Sequence, residues 1–120
     1  MVLIIKRISA FFFATEAGGE PVREWLKALS GEDRRLIGHD IMTVEFGWPI
    51  GMPTCRPMGG GLHEVRTNLA SNRISRVFFY IDRFGRMVLL HGMIKKTNAT
   101  RPADLQQART NKSTHERRSR

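Results

Sequence analysis

At 120 residues, with one cysteine and a formal charge of +9, the chain has room for one domain and enough residues for a core without staples. A disulfide framework is excluded, and no apolar stretch approaches the roughly 20 residues of a membrane-spanning helix. The charge is uneven: residues 1–55 hold six Lys/Arg against seven Asp/Glu, residues 56–96 eight against two, and residues 109–120 five against one. A polarised basic excess is what a nucleic-acid partner, RNA or DNA, demands; general solubility with a basic tail is the plainer alternative. A lone thiol suits a reducing compartment, so a cytoplasmic protein is expected.

In chain order, Lys6-Arg7 followed by Ile8–Ala14 makes a poor signal peptide, because the basic pair does not lead the apolar run. A first strand over Val2–Thr15 accounts for its Ile and Phe residues better. After the turn Ala17-Gly18-Gly19-Glu20, Pro21 opens a helix whose stripe is Val22, Trp25, Leu26 and Leu29. Ser30-Gly31-Glu32-Asp33 resembles a capping box for a second helix over 32–46. Leu36, Ile37, Ile41 and Val44 share its apolar face, with His39 and Asp40 in solvent. Gly47-Trp48-Pro49 stops it, and Gly51–Gly61 reads as a loop carrying Cys55 as a passive thiol. Strands follow at Leu62–Thr67, Arg73–Ile81 and Met87–Lys95, then a short helix from Pro102 through Ala108. Beyond Arg109 the composition is too polar for a core, which predicts a domain over 1–109 and a disordered basic tail over 110–120.

Cations recur inside the strands. Charges are rarely buried without a partner, so a sheet with this many cations is expected to present them on an open face. Period-two alternation puts Glu64 and Arg66 on one face of their strand and His63 and Val65 on the other. In the next strand Arg76 shares a face with Ile74, Phe78 and Tyr80, so antiparallel pairing brings Glu64, Arg66 and Arg76 together. Lys95 and Lys96 end the last strand. The four histidines lack ligand spacing and no cysteine pair exists, so neither metal nor cofactor is expected. Gly59-Gly60-Gly61 enters a strand and lacks a Walker lysine, and no serine sits in a nucleophile elbow.

What remains suits cleavage of RNA by its own 2′-hydroxyl, which needs a base, cations on the phosphate and an acid for the leaving 5′-oxygen. Arg76, Arg66, Lys95 and Lys96 are the candidate phosphate and proton-transfer cations. Glu64 and His91 are candidate proton carriers. Their plainer readings are an ion pair of Glu64 with Arg66 or Arg76, and a satisfied core histidine. Arg73, Arg56 and Tyr80 are candidate RNA contacts, Tyr80 by stacking.

Leu62-His63-Glu64-Val65-Arg66, Arg76-Val77-Phe78-Phe79-Tyr80 and Val88-Leu89-Leu90-His91-Gly92-Met93-Ile94-Lys95-Lys96-Thr97, followed by Pro102, carry a family likeness. With Pro21–Leu26 and Gly51-Met52-Pro53 upstream, residues 7–108 resemble the phage-derived HigB-like toxins of the RelE/ParE toxin–antitoxin superfamily. The resemblance implies an α+β fold: an N-terminal strand, a helical hairpin, a curved antiparallel three-strand meander and a C-terminal helix. It implies an endonuclease acting on ribosome-engaged mRNA and neutralised by a helix-turn-helix antitoxin. It matches Arg76 to a phosphate-binding strand arginine, Lys95 and Lys96 to basic catalytic positions, and Glu64 with Arg66 to a basic or polar pair. The chain departs in two ways: His63 stands where an aromatic residue is commoner, and the final helix offers no Tyr or His as proton carrier. Two other outcomes stay open, a ParE-like inhibitor of DNA gyrase and a phage protein that binds nucleic acid without catalysis.

Overall fold

The computed structural model describes residues 4–96 and 100–118. Val2 and Leu3 of the expected first strand, Thr97 of the quoted motif and residues 119–120 of the expected tail lie outside it. The elements are β1 (Ala10–Phe12), α1 (Pro21–Ala28), α2 (Gly31–Gly47), β2 (Cys55–Gly59), β3 (Leu62–Leu69), β4 (Arg73–Ile81), β5 (Met87–Lys95) and α3 (Pro102–Arg118). They build an α+β fold around one five-stranded sheet in the order β1-β5-β4-β3-β2, antiparallel except for the parallel β1–β5 pair.

Helix propensity and capping set the helical hairpin. Pro21 occupies the start of α1, where a missing N–H costs nothing. Ser30 caps α2, its Oγ accepting from the Asp33 N–H at 3.2 Å. Both helices lie on one face of the sheet, where Val22, Ile37, Ile41 and Val44 pack on Val65, Val77, Phe79 and Leu89. On the other face α3 contributes Leu105 and Ala108 to a second cluster with Phe13, Leu62, Phe78, Tyr80, Val88, Leu90 and Met93. The neighbours Phe78 and Phe79 are thus both buried, one per face, as a central strand requires. The backbone at Gly92 lies against the Trp25 ring, so α1 seats on β5 where no side chain intervenes.

Three expectations are corrected. Among the described residues, the Ile/Phe run yields a strand only at Ala10–Phe12. Ahead of it, Glu45 of α2 accepts from the backbone N–H groups of Arg7 and Ile8 through its carbonyl and from Ala10 N–H through Oε2. The loop over 51–61 holds β2, which pairs with β3 from Cys55↔Val65 to Gly59↔Leu62 across a register shift at Pro57/Gly59. Pro57 is tolerated because β2 is an edge strand. Cys55 accordingly lies buried in a strand, its thiol pushed up to about 11 by burial.

The third correction is the disordered tail, because α3 runs to Arg118. Asn111 Nδ2 donates to the Leu90 carbonyl at 2.9 Å, and Asn111 and His115 are both buried. Arg109 donates to the Met58 and Gly59 carbonyls, tying α3 to β2. Polar side chains dock this helix, so apolar periodicity could not reveal it.

Candidate functional site

Register places the sequence-named residues. Arg56 pairs with Glu64, Glu64 with Phe78, and Phe78 with His91, forming one row across β2, β3, β4 and β5. The next row is Arg66, Arg76 and Met93, and the one beyond is Asn68, Ile74 and Lys95. All lie on the face that carries α3, and directly opposed side chains in such rows stand about 5 Å apart. Arg56, Glu64, Arg66, Arg76, His91 and Lys95 therefore share one surface; Lys96 follows at the exposed strand end.

This surface is layered. Arg56 is exposed, Arg66 and Lys95 are half-buried, and Arg76 and Glu64 are wholly buried at 0% exposure. Arg76 was expected on an open face; it forms the floor instead. Its Nε lies 4.0 Å from Glu64 Oε2, and neither Glu64 oxygen accepts a hydrogen bond from the described residues. Burial loosens the hold of Arg76 on its proton, Glu64 opposes that, and Arg66 and Arg56 add to it. Charges of mixed sign on β2, β3 and β4 thus act on Arg76, most strongly within the dry Arg76–Glu64 pair. Beside Arg66 opens a recess of about 390 Å³, also bordered by Asp40, Pro53, Thr54 and Asn68.

His91 is half-buried beside this floor. A register shift between Phe78 and Phe79 lets Leu90 enter the cluster under α3 while His91 meets α3 itself. Its Nε2 lies 2.7 Å from Asp104 Oδ1, and Arg101 Nε donates to Asp104 Oδ2 at 2.6 Å. Burial raises the Asp104 carboxyl, but the hydrogen bonds from His91 and Arg101 outweigh it and hold the acid below its usual range. The imidazole stacks at 14° on Phe78. Sequence reasoning missed Asp104, since an acid in the first turn is what any helix start favours, and its partner comes from another element.

Two named residues fall elsewhere. Arg73 points to the α2 side, where it grips Asp33 through two hydrogen bonds of 2.7 and 2.9 Å. It is a staple between β4 and α2, not an RNA contact on the α3 face. Tyr80 shares that face but is only 4% exposed under α3, its Oη 2.5 Å from His115 Nδ1. Burial pushes its phenol up to about 12 and lowers the His115 pKa, so burial favours the neutral form of both partners in this hydrogen bond. Tyr80 therefore offers no stacking platform. The final helix does contain a histidine, His115, held in this buried pair. His63, on the opposite face, stacks at 22° on Phe79.

The fold and this face define a small α+β protein with an electropositive sheet surface laid over a buried ion pair. The chain belongs to the family described as Phage derived protein Gp49-like (DUF891), whose model matches residues 24–113. That family is grouped with the RelE/HigB-like toxins of toxin–antitoxin systems. No curated protein gives a significant match to the chain.

Proposed function

We propose that this chain is the HigB-like toxin of a RelE/ParE-type toxin–antitoxin pair and cuts translated messenger RNA without a metal ion or other cofactor. The observation that carries the reading is the convergence of Arg56, Arg66, Lys95 and the buried Arg76 with His91, a histidine tethered by a carboxylate. In this scheme the 2′-hydroxyl attacks the adjacent phosphorus and the P–O5′ bond breaks, leaving a 2′,3′-cyclic phosphate and a 5′-hydroxyl. With Nε2–H given to Asp104, His91 keeps a lone pair on Nδ1 to take the 2′-hydroxyl proton. The Lys95 ammonium, with Lys96 beyond it, supplies a proton to the leaving 5′-oxygen. Arg66 and Arg56 grip the non-bridging oxygens, and Arg76 beneath them adds positive potential where phosphorane charge grows. Glu64 positions Arg76.

The partners in this reading are mRNA on the ribosome and a cognate helix-turn-helix antitoxin encoded nearby, in the cytoplasm. No helix among the described residues is long and apolar enough to cross a membrane. The test is RNA from cells expressing the chain, mapped for new 5′ ends. Cuts within translated messages that vanish in Arg66→Ala support the nuclease. Intact RNA with an induced DNA-damage response would replace it with gyrase inhibition, and neither effect would leave simple binding.

A further inference from the structure

A second basic surface lies at the β4–β5 turn, six residues along β4 from Arg76 and so about 20 Å away at the usual strand rise. Asp82 builds this turn. Its Oδ1 accepts from the backbone N–H groups of Phe84 and Arg86 at 3.0 and 2.9 Å, and its Oδ2 accepts from Arg86 Nε at 2.7 Å. Gly85 supplies the φ of 77° that closes it. The tip is thereby fixed, yet Phe84 on it is 63% exposed. An aromatic ring left in water on a fixed backbone contributes nothing to the core and is open to a ligand.

Cations surround that ring. The guanidinium carbons of Arg83 and Arg86 lie 5.1 and 5.2 Å from its centroid, and that of Arg86 lies 4.2 Å from the Phe11 centroid. Arg83 borders two recesses, one of about 680 Å³ shared with Lys112 and Arg117, the other of about 480 Å³ shared with Arg118. The acids here, Asp82 and Glu116, are ion-paired to Arg86 and Lys112, so five cations face two carboxylates.

We propose that this surface is a second binding site, for single-stranded RNA: a base stacks on Phe84 beside Arg83, and phosphates follow the recesses between the turn and α3. Aromatic rings flanked by arginines bind unpaired bases with little sequence preference. A protein partner fits less well, because the centre of a protein interface is depleted of charge. Here guanidinium groups lie over the exposed Phe84 and Phe11 rings, and Lys112, Arg117 and Arg118 line the recesses beside them.

The test is fluorescence anisotropy of the full chain with a labelled single-stranded 2′-O-methyl RNA dodecamer, which cannot undergo 2′-hydroxyl attack. Phe84→Ala weakens binding about tenfold, Phe84→Trp retains it, and Arg83→Ala lowers the log–log salt slope by about 0.7. Circular dichroism checks that each surface variant is folded. Absence of binding by the unaltered chain, or equal affinity in Phe84→Ala, overturns the proposal. So does a Phe84→Ala loss seen with the antitoxin and not with RNA. Cleavage of ordinary RNA is read separately: binding through Phe84 without cutting removes the nuclease and leaves this site standing, whereas cutting with Phe84-independent binding does the reverse.

Discussion

At the scale of the residue, depth in the sheet decides which substitution is informative. Arg66 is half-exposed, so Arg66→Ala removes, with little strain, the guanidinium proposed to grip the phosphate. A fall of about 10²–10³ in cleavage rate is expected, measured as single-turnover cutting of a message fragment with the melting temperature as control. Arg76 is wholly buried, and alanine there would leave a void beside the Glu64 carboxylate. Arg76→Met combined with Glu64→Gln keeps the length of the stem and leaves no lone buried charge; the pair is expected to fold and to lose activity to a similar degree, and a folded, fully active double variant would remove the floor arginine from the chemistry. Tyr80→Phe keeps the ring and deletes the hydrogen bond to His115, which is expected to cost about 1 kcal/mol, readable as a lower melting temperature. Burial also sets a pH dependence. His115 and His63 are both held below their ordinary 6.5 in the folded state, so the unfolded chain binds more protons below that pH. Stability therefore rises with pH through this range and is lost as the pH falls below the ordinary histidine value. A calorimetric series should show that loss, and it should shrink in His115→Gln. Asp33, Asp82 and Asp104 are held below 3.8 instead, so their contribution is lost at more acid pH.

At the scale of the element, local signals spoke clearly where one periodicity governs. The Val22–Leu29 stripe, the Ser30 cap and the β3–β5 alternation gave α1, α2 and three strands directly from the residues. The same alternation put Glu64, Arg66 and Arg76 on one face. It could not show that Arg76 is covered, because burial depends on what lies over the sheet. Two elements stayed hidden for physical reasons. Pro57 and the glycines after it disguise β2 as a loop, and α3 docks through Asn111, His115 and Arg109 in place of an apolar stripe. The docking has a consequence that a disordered tail would lack: a chain ending at Arg109 strips the cover from Tyr80. Such a chain is expected to melt markedly lower or to stay unfolded, whereas a free tail would leave the melting curve unchanged. Where α1 meets β5 the contact is equally tight. In Gly92→Ala the new methyl overlaps the Trp25 ring, and overpacking of this kind typically costs about 1–3 kcal/mol, measurable by urea unfolding.

At the scale of the whole molecule, basic charge gathers on the sheet face with the strand-end lysines, and again at the β4–β5 turn with α3. Residues 1–55 are slightly acidic, which leaves the α1/α2 side without such an excess. RNA association is expected to be fast and steeply salt-dependent, and an acidic antitoxin surface would compete for the same field. Rapid-mixing measurements at two ionic strengths test this: an association rate indifferent to salt would mean that neither basic surface steers the partner.

The parallel pair at the sheet edge also bears on synthesis. β1 leaves the ribosome early, but its register partners Met87, Val88 and Leu89 lie in β5, the last strand to be made. The segment ahead of it can rest on Glu45 once α2 exists, yet its strand partner is absent until four further strands have emerged. Such a long-range closure is entropically slow and comes after the local hairpins. A half-made chain therefore holds Arg66 and Arg76 without the β5 row that carries His91 and Lys95. Under the proposed function, a ribosome translating this message completes nearly the whole polypeptide before the cutting site is assembled.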